Sequence, residues 1–292
     1  MEAMLDLLHA ILRRHASDEA NAWLDDFIPK QRAEFGRRPF YYAFSGATRR
    51  FSKERELEVT EAECAELNFE AAGFRIDGWT ADRLARVVLL ILLGERPKPT
   101  FLDTVNALFE TADLREQAAI FAAFPALPHA ENLVPIAREG LRTNIVDVFD
   151  SIALDNPFPA EHFDDEGWNQ MVLKCLFIDR PLFRVHRIEQ RANPTLVEQI
   201  SNLAHERWAA GRTISPEAWR SCQDFLSDQI VKELTRVAAS EEPGHREAAA
   251  LIFAREGGQK LAALKPEVEQ LLGKVESGEL TWESLGTELF QS

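Results

Sequence analysis

The stretch from Asn156 to Arg220 concentrates the side chains that can do chemistry: Trp168, Trp208 and Trp219; His162, His186 and His205; several asparagines; and a lysine inside an almost wholly apolar run. That run reads Trp168-Asn169-Gln170-Met171-Val172-Leu173-Lys174-Cys175-Leu176-Phe177-Ile178. An ammonium group buried there needs a carboxylate partner, a route to water or a task. Asp147 and Asp150 are the carboxylates expected to pair with it. Desolvated instead, Lys174 would have a lowered pKa, suited to Schiff-base or anion-binding chemistry.

His205-Glu206-Arg207-Trp208-Ala209 opens as a zinc-protease helix does, but Ala209 stands where the second histidine is required. Zinc needs both imidazoles on one helix face, one turn apart. The pair therefore reads as capping or bridging neighbouring helices. His162, His186 and His205 lie on separate elements, and no spacing gathers them with Asp150 or Glu206 into a ligand set. No metal site and no cofactor are expected. Neither a glycine-rich phosphate loop nor a dinucleotide fingerprint nor a nucleophile elbow occurs, so catalytic residues stay unassigned.

Three tryptophans at helical spacing read as core; lining a pocket, they favour a large apolar or aromatic ligand with a few polar anchors. The cationic run Arg180, Arg184, His186, Arg187 and Arg191 reads as a solvated loop, with a fork for phosphate or carboxylate as its sharper use. Asn156-Pro157-Phe158-Pro159 predicts a rigid, extended corner that sets Phe158 and His162 beside a groove. The expected ligand-binding set is Asp147, Asp150, Asn156, Phe158, Trp168, Asn169, Lys174, His205, Glu206 and Trp208.

Helices must position these groups. Leu5, Leu8, Ile11 and Leu12 recur at three and four, as do Leu84, Val87, Val88 and Ile91, and Leu196, Ile200 and Leu203, which puts each set on one helical face. Thr60 with Glu63, and Asp113 with Glu116, have capping-box spacing. Asn193-Pro194 and Ser215-Pro216 place a capping side chain before a first-turn proline. Glycines at 94, 140, 211, 257 and 278 follow periodic segments, as helix ends prefer. Counting such signals gives roughly a dozen helices joined by short turns.

The class is all-α, read as an irregular right-handed solenoid of HEAT-like helix pairs. The break at Gly73–Trp79 suggests an N-terminal helical cap over residues 1–78 and a solenoid over 79–292, together one continuous domain. At 46% hydrophobic residues the chain can fill a sizeable core. Its 33 lysines and arginines against 48 acids leave a net charge of −15, which argues against nucleic acid or an anionic membrane surface as partner. The acidic N-terminal stretch lacks the pattern of a secretory signal, and the apolar segment Leu84–Leu93 is too short to span a bilayer. With three dispersed cysteines, this predicts a cytoplasmic protein with reduced thiols and no transmembrane segment.

The runs Asn156-Pro157-Phe158-Pro159, Trp168 to Lys174, Asn193-Pro194, Ala204-His205-Glu206-Arg207-Trp208-Ala209-Ala210-Gly211-Arg212, and Pro216 with Trp219-Arg220, resemble the signature of the EboA family. Members are encoded beside a prenyltransferase-like membrane protein, a sugar-phosphate-cyclase-like enzyme and metal-dependent barrel proteins. In cyanobacteria the group is associated with moving a sunscreen-pigment precursor toward the periplasm. The resemblance implies a bacterial helper of a secondary-metabolite pathway, with other pathway proteins as partners and no established catalytic residue. The expected function is a binding or scaffold protein whose groove holds an apolar or prenylated precursor, or a partner enzyme. The alternative is an enzyme acting on an isoprenoid- or cyclitol-like metabolite, with Lys174, His205 and Glu206 as acid–base groups.

Overall fold

Apolar residues at helical spacing commit most of the chain to helix, and the computed structural model, which describes residues 2–257 and 259–291, is all-α. Among the described residues the one extended pairing is an isolated antiparallel bridge between Glu56 and Thr80, and no helix is long and apolar enough to cross a membrane. The chain divides into two compact units, Met1–His162 and Phe163–Ser292.

The first unit holds α1 (Glu2–Arg14), α2 (Asp18–Ala33), α3 (Arg37–Ser45), α4 (Glu61–Glu70), α5 (Ala81–Gly94), α6 (Lys98–Thr111), α7 (Leu114–Ala123), α8 (Ala130–Gly140), α9 (Val146–Ala153) and α10 (Phe158–His162). Its centre is α5, buried on every side except at Arg83, as a helix apolar all round must be. α1, whose Leu5, Leu8, Ile11 and Leu12 are buried, packs against it, as does α7. Each fully buried leucine or isoleucine contributes about 1.5–3 kcal/mol.

Within this apolar helix, Arg86 donates to Asp82 at 2.7 Å, both side chains being 1% exposed. Arg115 on α7 adds a second contact at 2.8 Å. Burial raises the Asp82 pKa, but the bonds from Arg115, Thr80 and Arg86 outweigh it and hold the carboxyl below its ordinary value.

Both expected capping boxes form, with the paired backbone and side-chain bonds in place. The segment from Gly73 to Trp79 lies inside the first unit, where Phe74, Ile76 and Trp79 are buried. The Pro157–Pro159 corner is less extended than its sequence predicts, because α10 begins at Phe158. Both prolines fall at the helix entrance, where a missing amide hydrogen leaves no bond unmade.

The second unit holds α11 (Asp165–Phe177), α12 (Pro194–Ala209), α13 (Asp228–Ala238), α14 (His245–Glu256), α15 (Lys265–Glu276) and α16 (Trp282–Gln291). α14 packs against both α13 and α15. Asn193 caps α12 by accepting from the Leu196 amide at 2.9 Å, with Pro194 at the first position. Ser215-Pro216 differs from expectation. It opens a 3-10 helix, Pro216–Cys222, and the Ser215 side chain makes no capping bond; its carbonyl instead accepts from Ala218 at 3.0 Å.

Gly211, Gly257 and Gly278 end helices at positive φ, as expected. Gly140 also ends a helix, α8, but without positive φ, and it serves packing. A β-carbon there would lie 2.7 Å from Ile152 Cδ1 and collide with the Phe121 ring, so glycine permits close packing between helices. The three cysteines carry free thiols, Cys64 half-buried and Cys175 and Cys222 buried.

Candidate functional site

Four of the expected site residues belong to the first unit. Asp147 is exposed in the first turn of α9, and Asp150 is half-buried one turn on. Asn156 is 5% exposed and wholly engaged by backbone. Its Nδ2 donates to the carbonyls of Phe121 (3.1 Å) and Ser151 (2.9 Å), and its Oδ1 accepts from the Phe158 amide (2.9 Å). Asn156 thus ties α7, α9 and α10 together. Phe158 is a core side chain, 1% exposed, packed on Phe124 and His162 at ring distances of 5.1 and 4.8 Å.

The other six belong to the second unit. Trp168 is fully buried, with the Arg191 guanidinium 5.0 Å from its ring centre. Asn169 is 3% exposed and exchanges amide bonds with Asn193, at 2.8 and 3.2 Å. The pair links α11 to the cap of α12. Lys174 is half-buried toward the end of α11, and burial lowers its pKa, with a smaller opposing effect of Cys175. Phe177, in the last turn of α11, is 70% exposed although it belongs to the apolar run.

His205 and Trp208, one turn apart on α12, meet groups from α13. The His205 Nε2 lies 2.8 Å from Glu233 Oε1, which also accepts from Ser201 Oγ (2.6 Å) and Gln229 Nε2 (2.8 Å). Glu233 is 3% exposed, and its second oxygen has no hydrogen-bond partner. The bridging expected of the His205-Glu206 pair is therefore made by His205 to Glu233, while Glu206 is exposed. The Glu233 charge and burial together push the neighbouring Cys222 thiol up, burial being the larger cause.

Trp208 is half-exposed. His205 packs edge-on at 5.4 Å, Trp219 stacks at 6.0 Å with planes 20° apart, and the Arg236 guanidinium carbon sits 4.2 Å from the indole centre. Trp208 and Arg236 border a cleft of about 510 Å³ whose other lining includes Arg212, Ser240, Glu242 and His245. His245 is 4% exposed. Burial lowers its pKa, with Glu242 and Glu247 partly opposing, so the imidazole is neutral at pH 7. A second cleft of about 450 Å³ shares Thr213, Glu242 and His245 with the first and continues toward Leu285 and Leu289.

Beside it, Glu217 is fully buried and accepts from the amides of Leu182 (2.9 Å) and Phe183 (2.6 Å). Burial pushes its pKa up to about 7 despite those bonds and the nearby Arg220 charge. Among the described residues, no group of three or more His, Cys, Asp or Glu side chains is arranged to hold a metal ion.

Sequence reasoning missed Glu233, Gln229, Arg236, Arg212 and His245. One signal was available: Ile230, Leu234 and Val237 mark the buried face of α13, and Glu233 falls on that face, where a carboxylate must have partners.

Among the described residues, then, an all-helical frame carries an aromatic and cationic cleft of small-molecule size. The family described as "Metabolite traffic protein EboA" matches residues 4–223, and the chain belongs to that family. Comparison with curated proteins and with solved structures returns no match. The matched region contains Trp208 and Arg212 but stops before Arg236 and His245, so the cleft is completed by helices beyond it.

Proposed function

We propose that this protein is a cytosolic accessory protein of a bacterial secondary-metabolite pathway, binding an apolar or prenylated precursor in the Trp208 cleft and working beside other pathway proteins. The observation that carries this reading is a half-exposed indole, fixed by Trp219, His205 and Arg236, at the wall of a cleft of about 510 Å³. Tryptophan exposed at a concave wall is suited to holding apolar or conjugated ligands. The family description as a metabolite traffic protein supports it. Packing of α14 on both α13 and α15 supports the solenoid reading of the surrounding helices.

The enzymatic alternative has one supporting feature, the orientation of His205 by buried Glu233, which is how an imidazole is readied for proton transfer. Lys174 and Glu206, its other two acid–base groups, do not line the cleft.

Native mass spectrometry of the protein purified from cells that make the pathway product tests the binding reading. A small-molecule mass should accompany the wild type and be lost from Trp208→Leu, with a melting curve showing that the variant is folded. Retention of the same mass by folded Trp208→Leu would move the site elsewhere.

A further inference from the structure

We propose that the Trp208 cleft selects an oxyanion, a carboxylate or phosphate carried on an apolar or aromatic body, and that Arg236 and Arg212 grip it. This rests on the reading of the cleft as the metabolite site and specifies the chemistry it selects.

Arg236 stacks on Trp208, with its guanidinium carbon 4.2 Å from the ring centre. Stacking engages the flat face of a guanidinium and leaves its N–H donors free in the plane, where they match the two oxygens of a carboxylate or phosphate. The same contact immobilises a side chain that would otherwise lose rotamer entropy on binding.

Arg212 is placed by the way α12 ends. Gly211, at φ +68°, turns the chain, with Gly211 N donating to Trp208 O (3.1 Å) and Arg212 N to Arg207 O (2.8 Å). These bonds form the glycine-terminated helix end that fixes the two following residues. Arg207 then ties the next residue by donating to the Thr213 carbonyl at 2.5 Å.

Among the described residues, neither Arg212 nor Arg236 has a carboxylate within ion-pair distance. Two guanidiniums and one carboxylate, Glu242, line the cleft, a formal excess of one positive charge in its wall within a chain of net charge −15. An anion finds its favourable potential here against the average of the molecule.

Isothermal titration of the full chain with 1-naphthylacetate, 1-naphthyl phosphate and the neutral isostere 2-(1-naphthyl)ethanol tests this. At least one anion should bind about tenfold more tightly than the alcohol, the scale of a charge-assisted pair. Arg212→Gln and Arg236→Gln should each lower anion affinity by a larger factor than alcohol affinity, in proteins that a melting curve shows to be folded; Arg236→Gln also loosens Trp208, so the ratio of the two affinities is what is read. Which anion gains more distinguishes a carboxylate from a phosphate ligand. Equal affinity for alcohol and anions, or anion binding unaffected by both substitutions, overturns the inference and leaves the cleft as the site. If none of the three probes binds, the underlying reading of the cleft falls as well.

Discussion

A carboxylate removed from water is tolerable only while its partners remain. Asp82 shows this most sharply, being enclosed with Arg86 inside the most apolar helix of the chain. Replacing Asp82 by alanine strands the Arg86 charge in a dry interior, and the expected loss is about 3–5 kcal/mol in urea unfolding at pH 7. Arg115→Gln should cost less, because Arg115 is 46% exposed and Asp82 keeps Arg86. At this scale the sequence revealed residue types but not partners. Asn156 and Asn169 were read as polar anchors for a ligand, and their side chains make the bonds that hold helices together. His205 was visible as bridging, but its partner Glu233 lies 28 residues away on another helix, a separation no local pattern encodes.

Elements were the most legible part of the chain, since periodicity and capping act within a few residues. The Thr60–Glu63 and Asp113–Glu116 boxes and the Asn193 cap all formed as read. Ser215 did not cap, because a 3-10 turn satisfied its segment through backbone alone, an outcome the Ser-Pro dipeptide does not distinguish. Asn193 serves two elements at once, as cap of α12 and partner of Asn169 on α11. Asn193→Ala should therefore cost about 2–4 kcal/mol, combining a lost cap with a stranded buried amide. Asn169→Ala made in the same background should add less than it does alone, which a double-mutant cycle by urea unfolding will show.

For the whole molecule, stability and pH are linked through Glu217. Its folded pKa of about 7 exceeds the ordinary 4.5, so between those values the folded form retains a proton that the unfolded chain has released. That contribution is fully present below about pH 4.5 and is lost as pH rises through about 7. Between pH 5 and 7.5 the wild type should lose roughly 2 kcal/mol more stability than Glu217→Gln, measured by urea unfolding at both pH values. The comparison with the variant removes the opposing contribution of His245, whose lowered pKa favours the folded state as pH rises. Helical class was legible from periodicity, whereas the Trp208 cleft was not, because half of its wall comes from residues after 223, where no motif stood out. The thiols have a last consequence. Burial holds Cys64 and Cys222 above the ordinary thiol pKa, so neither supplies the thiolate that peroxide or an electrophile attacks. Oxidation at these two thiols should therefore be slow, and half-buried Cys64, more accessible than buried Cys175 and Cys222, is where it would begin.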